Sequence, residues 1–99
     1  MKLPDQYGER LYTINFRRVN SEAAISIDYH PKLKILEIQY KAGKIYHYLN
    51  IDKTIWNKFL EFANKGAGLG TYINQDFKNM IDKYNLDYYE LIVVSSYSR

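Results

Sequence analysis

Two histidines and eleven tyrosines carry most of the chemistry open to this chain, which has no cysteine. Without thiols there are no disulfides, thiolate zinc sites or thiol nucleophiles, a usage that fits a reducing compartment. His30 stands before Pro31 with Asp28 close by, a setting of turn chemistry rather than general-base chemistry. His47 falls in an alternating run opposite Glu37, where the pair is either an acid–base dyad or an ordinary cross-strand contact. Two histidines without clustered carboxylates make a poor metal site. No nucleophile stands out, since Ser95, Ser96 and Ser98 fall in the C-terminal tail. Gly66-x-Gly68-x-Gly70 invites comparison with a phosphate loop, but such loops follow a strand and this one follows a helical pattern. A helix cap plus linker is expected there, although its C-terminal side opens a second helix whose N–H groups could hold an anion. The expectation is a protein that is not an enzyme, with no cofactor and no metal.

The aromatic and basic residues point elsewhere. The chain carries a net +3, and it is unevenly spread. Between His30 and Lys58, six lysines face two acids, Glu37 and Asp52, so this segment alone is +4. An electropositive surface interleaved with tyrosines suits an anionic partner such as RNA or single-stranded nucleic acid. The candidate contacts are Lys32, Lys34, Lys41, Lys44, Tyr46 and Tyr48. The plainer role for the lysines is to guard exposed strand edges.

These residues are positioned by a β-hairpin followed by helices. Ile25, Ile27 and Tyr29 alternate as a half-buried strand that Pro31 must end. Leu36, Ile38 and Tyr40 form the next period-two set, and residues 44–49 a third strand. Asp52 is a suitable N-cap for a helix over 52–63, with Ile55, Trp56, Phe59, Leu60 and Ala63 on one stripe. Asn64-Lys65-Gly66 ends it. Residues 72–84 predict a second helix, with Ile73, Phe77, Met80, Ile81 and Tyr84 on one side. Residues 87–94 predict a last strand, apolar and at a sheet edge. Residues 11–16 alternate weakly as a strand, and 1–10 and 95–99 are expected to be flexible. The predicted core is Ile25, Ile27, Leu36, Ile38, Tyr46, Tyr48, Ile55, Trp56, Phe59 and Leu60.

The hairpin loop decides what the tyrosines do. A three-residue loop, Lys41-Ala42-Gly43, pairs Ile38 with Tyr46 and Leu36 with Tyr48. Both tyrosines then share the apolar face, and Glu37 lies across from His47. A two-residue loop shifts the register by one and puts the tyrosines on the polar face, free to stack bases. The three-residue loop segregates apolar from polar residues better.

The run from Val19 to about Tyr84 resembles the KTSC domain, named after the C-terminal region of some lysyl-tRNA synthetases. The matching features are Ser21 ahead of Ile25, Ile27 and Tyr29; Leu36-x-Ile38-x-Tyr40; Gly43; Tyr46-His47-Tyr48; the helix with Phe59, Leu60 and Ala63; and Tyr72-Ile73-Asn74, Phe77-Lys78 and Tyr84. Asp52 stands where the family usually has proline. The 66–71 loop is longer and richer in glycine, and residues beyond Asn85 are an extension. The resemblance implies a small module of bacteria and their phages, alone or appended to larger proteins, and through the synthetase connection an RNA-binding role.

Together these readings predict one α+β domain over 1–99, of which 19–84 is KTSC-like. Its small antiparallel sheet of three to four strands carries one helix on a face and a second helix beside it. Met1 to Gln6 lacks the apolar stretch of a signal peptide, and no apolar run approaches the ~18 residues of a membrane span. A cytoplasmic protein without membrane contact is expected. Its expected role is a small binding module for RNA or single-stranded nucleic acid through the basic hairpin. The alternative is a protein-interaction module, or a homodimer formed through the apolar last strand.

Overall fold

The computed structural model describes residues 1–94, so the expected tail at 95–99 lies outside the described residues. Six strands form one sheet: β1 (Gln6–Gly8), β2 (Arg17–Arg18), β3 (Ala24–His30), β4 (Ile35–Tyr40), β5 (Ile45–Tyr48) and β6 (Tyr88–Val93). Their order is β1-β6-β5-β4-β3-β2, antiparallel throughout except for the parallel pair β1–β6. The sheet exceeds the predicted three to four strands because β1 and β2 are three and two residues long. Segments that short show no period-two pattern. Residues 1–10, expected to be frayed, include β1, and Leu3 N–H donates to the Tyr88 carbonyl at 2.7 Å. The last strand is not an edge, because β6 lies between β1 and β5.

The β4–β5 hairpin has the three-residue loop. Gly43 N–H donates to Tyr40 O at 2.8 Å, Tyr40 N–H donates to Lys44 O at 2.9 Å, and Gly43 sits at φ +102°. Only glycine takes that φ without strain. The register follows: Leu36 opposite Tyr48, Glu37 opposite His47, Ile38 opposite Tyr46. In β3 the alternation is broken by an irregularity between Ala24 and Ser26, so Ala24 takes the buried place and Ile25 is only half-buried.

The helices cover one face of the sheet. Helix α1 (Lys53–Lys65) buries Trp56 and Phe59, with Ile55 and Leu60 half-buried beside them. Trp56 stacks on Tyr29 at 5.5 Å, and the Tyr29 hydroxyl donates to Ile51 O at 2.6 Å. Gly66 ends α1 in the left-handed region at φ +74°, its N–H donating to the Phe62 and Ala63 carbonyls. Asp52 is the N-cap residue but makes no side-chain cap bond; its carboxylate lies 3.6 Å from Lys34 Nζ instead. The second helical run is a turn α2 (Leu69–Thr71), a π-helical segment (Tyr72–Phe77) and α3 (Lys78–Lys83). It buries Leu69, Ile73, Phe77 and Ile81. Tyr84, expected on that side, is 62% exposed, because the helix has already ended at Lys83. Phe77 meets Tyr48 at 4.9 Å and Phe59 at 5.0 Å, both edge to face, which locks both helices over the hairpin. Among the described residues, no helix is long and apolar enough to cross a membrane.

The other face is covered as well. Residues 9–16, part of which was expected to be a strand, instead cross that face as an irregular strap. Tyr12 lies at φ +44° and Phe16 N–H turns back onto Thr13 O at 3.1 Å. The strap's N–H groups go to carboxylates rather than to a ladder: Leu11 to Glu37 at 3.1 Å and Thr13 to Asp28 at 2.8 Å.

Candidate functional site

Two clusters of polar and aromatic groups stand out, one on each face of the sheet. The first is a cleft of about 690 Å³ at the loop end of the β4–β5 hairpin, on the helix side. Its floor is tyrosine. The Tyr46 ring lies 5.8 Å from Tyr40, 6.2 Å from Tyr48 and 6.1 Å from Tyr88. Register explains the grouping, since Tyr46, Tyr48 and Tyr88 all fall on one face of neighbouring strands. Tyr48 is buried against Phe77 and Tyr46 is half-buried, and both line the cleft. The Tyr40 and Tyr48 hydroxyls are 2.6 Å apart. Burial raises the pKa of both phenols well above the ordinary 10.0. At neutral pH they are hydrogen-bonding groups, not acids or bases.

Lysine forms the rim. Lys2, Lys41, Lys44 and Lys78 line the cleft, against the acids Glu22 and Asp82. Lys2 Nζ sits 5.8 Å from the centre of the Tyr46 ring, a cation–π contact. Lys44 leans on Glu90 at 3.9 Å but remains exposed. Asn74, from the π-helical segment, also faces the cleft. Single-turn π insertions recur at functional positions because they re-aim side chains that an α-helix would present elsewhere.

Of the residues predicted from sequence, Lys41, Lys44, Tyr46 and Tyr48 meet at this cleft. Lys32 and Lys34 do not. They lie in the β3–β4 turn, at the opposite end of β4, roughly 20 Å away at the ordinary strand rise. His30 does what its turn suggests, accepting from Leu33 N–H at 3.2 Å through Nδ1. Sequence reasoning missed Lys2, Lys78, Asn74 and Tyr88. Tyr88 was within reach, since it alternates with Glu90 in a predicted strand. The other three depend on contacts far apart in the chain.

The second cluster is the Glu37–His47 pair, and it is buried. His47 Nε2 lies 2.8 Å from Glu37 Oε2, with the two side chains 5% and 1% exposed. Glu37 also accepts from Arg10 Nε at 3.0 Å and Leu11 N–H at 3.1 Å. His47 Nδ1 meets the Tyr89 hydroxyl at 3.0 Å. Burial pushes the Glu37 carboxyl up, but the donors from His47, Leu11 and Arg10 outweigh it and hold the pKa below its ordinary value. Neither the tyrosine cleft nor a second one against the glycine loop is lined by these groups, and each buried side-chain polar atom among the described residues has a partner. The arrangement fastens the strap to the sheet.

A six-stranded sheet with helices on one face, a strap on the other and a lysine-rimmed tyrosine cleft at the hairpin end defines a small α+β domain. The chain belongs to the KTSC domain family, whose model matches residues 20–79. No curated protein matches the chain. The matched span contains the hairpin, α1 and the π-helical segment. Lys2 and Tyr88 of the cleft, and Arg10, Leu11 and Tyr89 of the strap network, lie outside it.

Proposed function

We propose that this chain is a non-enzymatic domain that binds single-stranded nucleic acid, RNA above all, in the tyrosine cleft. The observation that carries the proposal is the convergence of Lys2, Lys41, Lys44 and Lys78 on a cleft floored by the half-buried Tyr46. Lysines from the N-terminus, the hairpin loop and the second helical run have no shared structural task there. Phosphates are the anions that such a rim neutralises, and an accessible tyrosine ring stacks an unpaired base for about 1–3 kcal/mol. Tyr48 serves by holding Tyr46 and Tyr40 in place. A volume of about 690 Å³ admits a nucleotide or two rather than a duplex.

The test is fluorescence anisotropy of a labelled single-stranded RNA at ~50 mM and ~200 mM salt. Micromolar affinity that falls steeply with salt is expected, with further loss in Lys41→Glu/Lys44→Glu. Lys32→Glu should matter far less, because it lies at the other end of the sheet. Absence of binding at tens of micromolar sinks the proposal.

A further inference from the structure

A second cleft, of about 650 Å³, lies against the glycine loop and is lined by Asn20, Ser21, Gln75 and the 66–71 backbone. Glu22, Ala23 and Asn74 line both clefts, so the two are neighbouring parts of one groove. The halves differ in chemistry. The tyrosine half has four lysines, whereas the glycine half has amides and hydroxyls and no cation. A lining of amides and hydroxyls, with Glu22 as its one charged group, does little for phosphates but suits the edges of bases, which present fixed donors and acceptors. Glu22 stands at the junction, exposed and beside a basic cleft that its charge only weakens. A carboxylate there opposes phosphate and accepts from an exocyclic amino group.

We propose that the two clefts are one groove for an extended single strand, in which Glu22 and Asn74 read a base bearing an exocyclic amino group, so that cytosine is preferred to uracil. This rests on the nucleic-acid function proposed above. The lysine–tyrosine half holds phosphate and a stacked base, and carries affinity without sequence preference. At the junction, the Glu22 carboxylate accepts from the cytosine N4 amino group while the Asn74 amide donates to N3. Uracil loses the Glu22 contact, because O4 replaces the amino group and repels the carboxylate; a turned Asn74 amide still meets its N3–H and O4, so the discrimination rests on Glu22. Cytosine and uracil differ little in stacking area, so a preference between them reports on edge reading.

The experiment compares oligo(C) and oligo(U) RNA of equal length, at neutral pH and fixed salt, with the wild type, Glu22→Ala and Asn74→Ala. Both residues are exposed, so neither change should disturb folding, which far-UV circular dichroism checks. The wild type should favour oligo(C) by about fivefold or more, the scale of one good edge contact. Glu22→Ala should bring the ratio near one, even while oligo(U) binds more tightly through the lost negative charge. Asn74→Ala should weaken both oligomers with the salt dependence unchanged. If Glu22→Ala tightens both oligomers equally, the residue is only a background charge and the inference falls while the binding function stands. Equal wild-type affinity for the two oligomers overturns it in the same way. If neither oligomer binds at any salt, the function itself fails and takes this inference with it.

Discussion

Replacing Glu37 by glutamine should loosen the strap and destabilise the whole domain. Glu37 is 1% exposed and accepts from three donors on two segments, the strap and β5: Arg10 Nε at 3.0 Å, Leu11 N–H at 3.1 Å and His47 Nε2 at 2.8 Å. Glutamine keeps the shape, but one of its two terminal atoms becomes a donor facing donors. The Arg10 guanidinium, its side chain 11% exposed, loses its one charged partner among the described residues. Removing one member of a buried ion pair typically costs about 3–5 kcal/mol, since the remaining charge stays buried without compensation. A chain of this length has roughly 5–15 kcal/mol in total. Urea unfolding followed by the fluorescence of Trp56, the only tryptophan, should show a loss of unfolding free energy of that size. The melting temperature should fall by roughly 4–8 °C per kcal/mol. The pH dependence has a definite sign. The folded-state pKa of Glu37 lies below its ordinary 4.5, so its contribution is complete above that value and is lost as pH falls through the folded pKa. Glu37→Gln should flatten the acid limb of the stability curve. A double-mutant cycle with Arg10→Gln should show coupling above about 1 kcal/mol. A loss below about 1 kcal/mol for Glu37→Gln, with no coupling, would refute the claim that the carboxylate fastens the strap.

Two further outcomes test the other face. Phe59→Ala removes a fully buried ring held edge-on by Phe77 and Tyr72, and should cost about 3–5 kcal/mol in urea unfolding; an unchanged melting temperature would sink the helix-on-sheet arrangement. Burial of Tyr40 and Tyr48 raises their folded-state pKa above the ordinary 10.0, so their contribution is complete below pH 10 and declines as pH rises beyond it. Alkaline unfolding should therefore begin near pH 10 and be delayed in Tyr48→Phe, which has one phenol fewer to ionise; identical alkaline curves would contradict the buried hydroxyl pair.

The sequence alone determined what depends on near neighbours. Gly43 and the apolar alternation on either side of it admitted one well-segregated register, and that register placed Tyr46 and Tyr48 beside Ile38 and Leu36. The stripe from Ile55 to Ala63 and the Gly66 stop likewise needed no tertiary information. Tertiary structure decided the rest. A two-residue strand has no pattern to find, so β1 and β2 exist only because longer neighbours offer them a ladder. The polar face of the hairpin looked solvent-facing because Glu37, Gln39 and His47 are hydrophilic. Glu37 and His47 are buried because the strap covers them, with Arg10 and Leu11, up to twenty-nine residues away from their partners, satisfying Glu37 and Gln39, and Thr13 satisfying Asp28 of the neighbouring strand. The cleft has the same origin. Its tyrosines follow from strand periodicity, but Lys2 reaches it through an isolated parallel bridge to Tyr88, and Asn74 and Lys78 through the π-helical segment and α3, and only the folded chain brings them together.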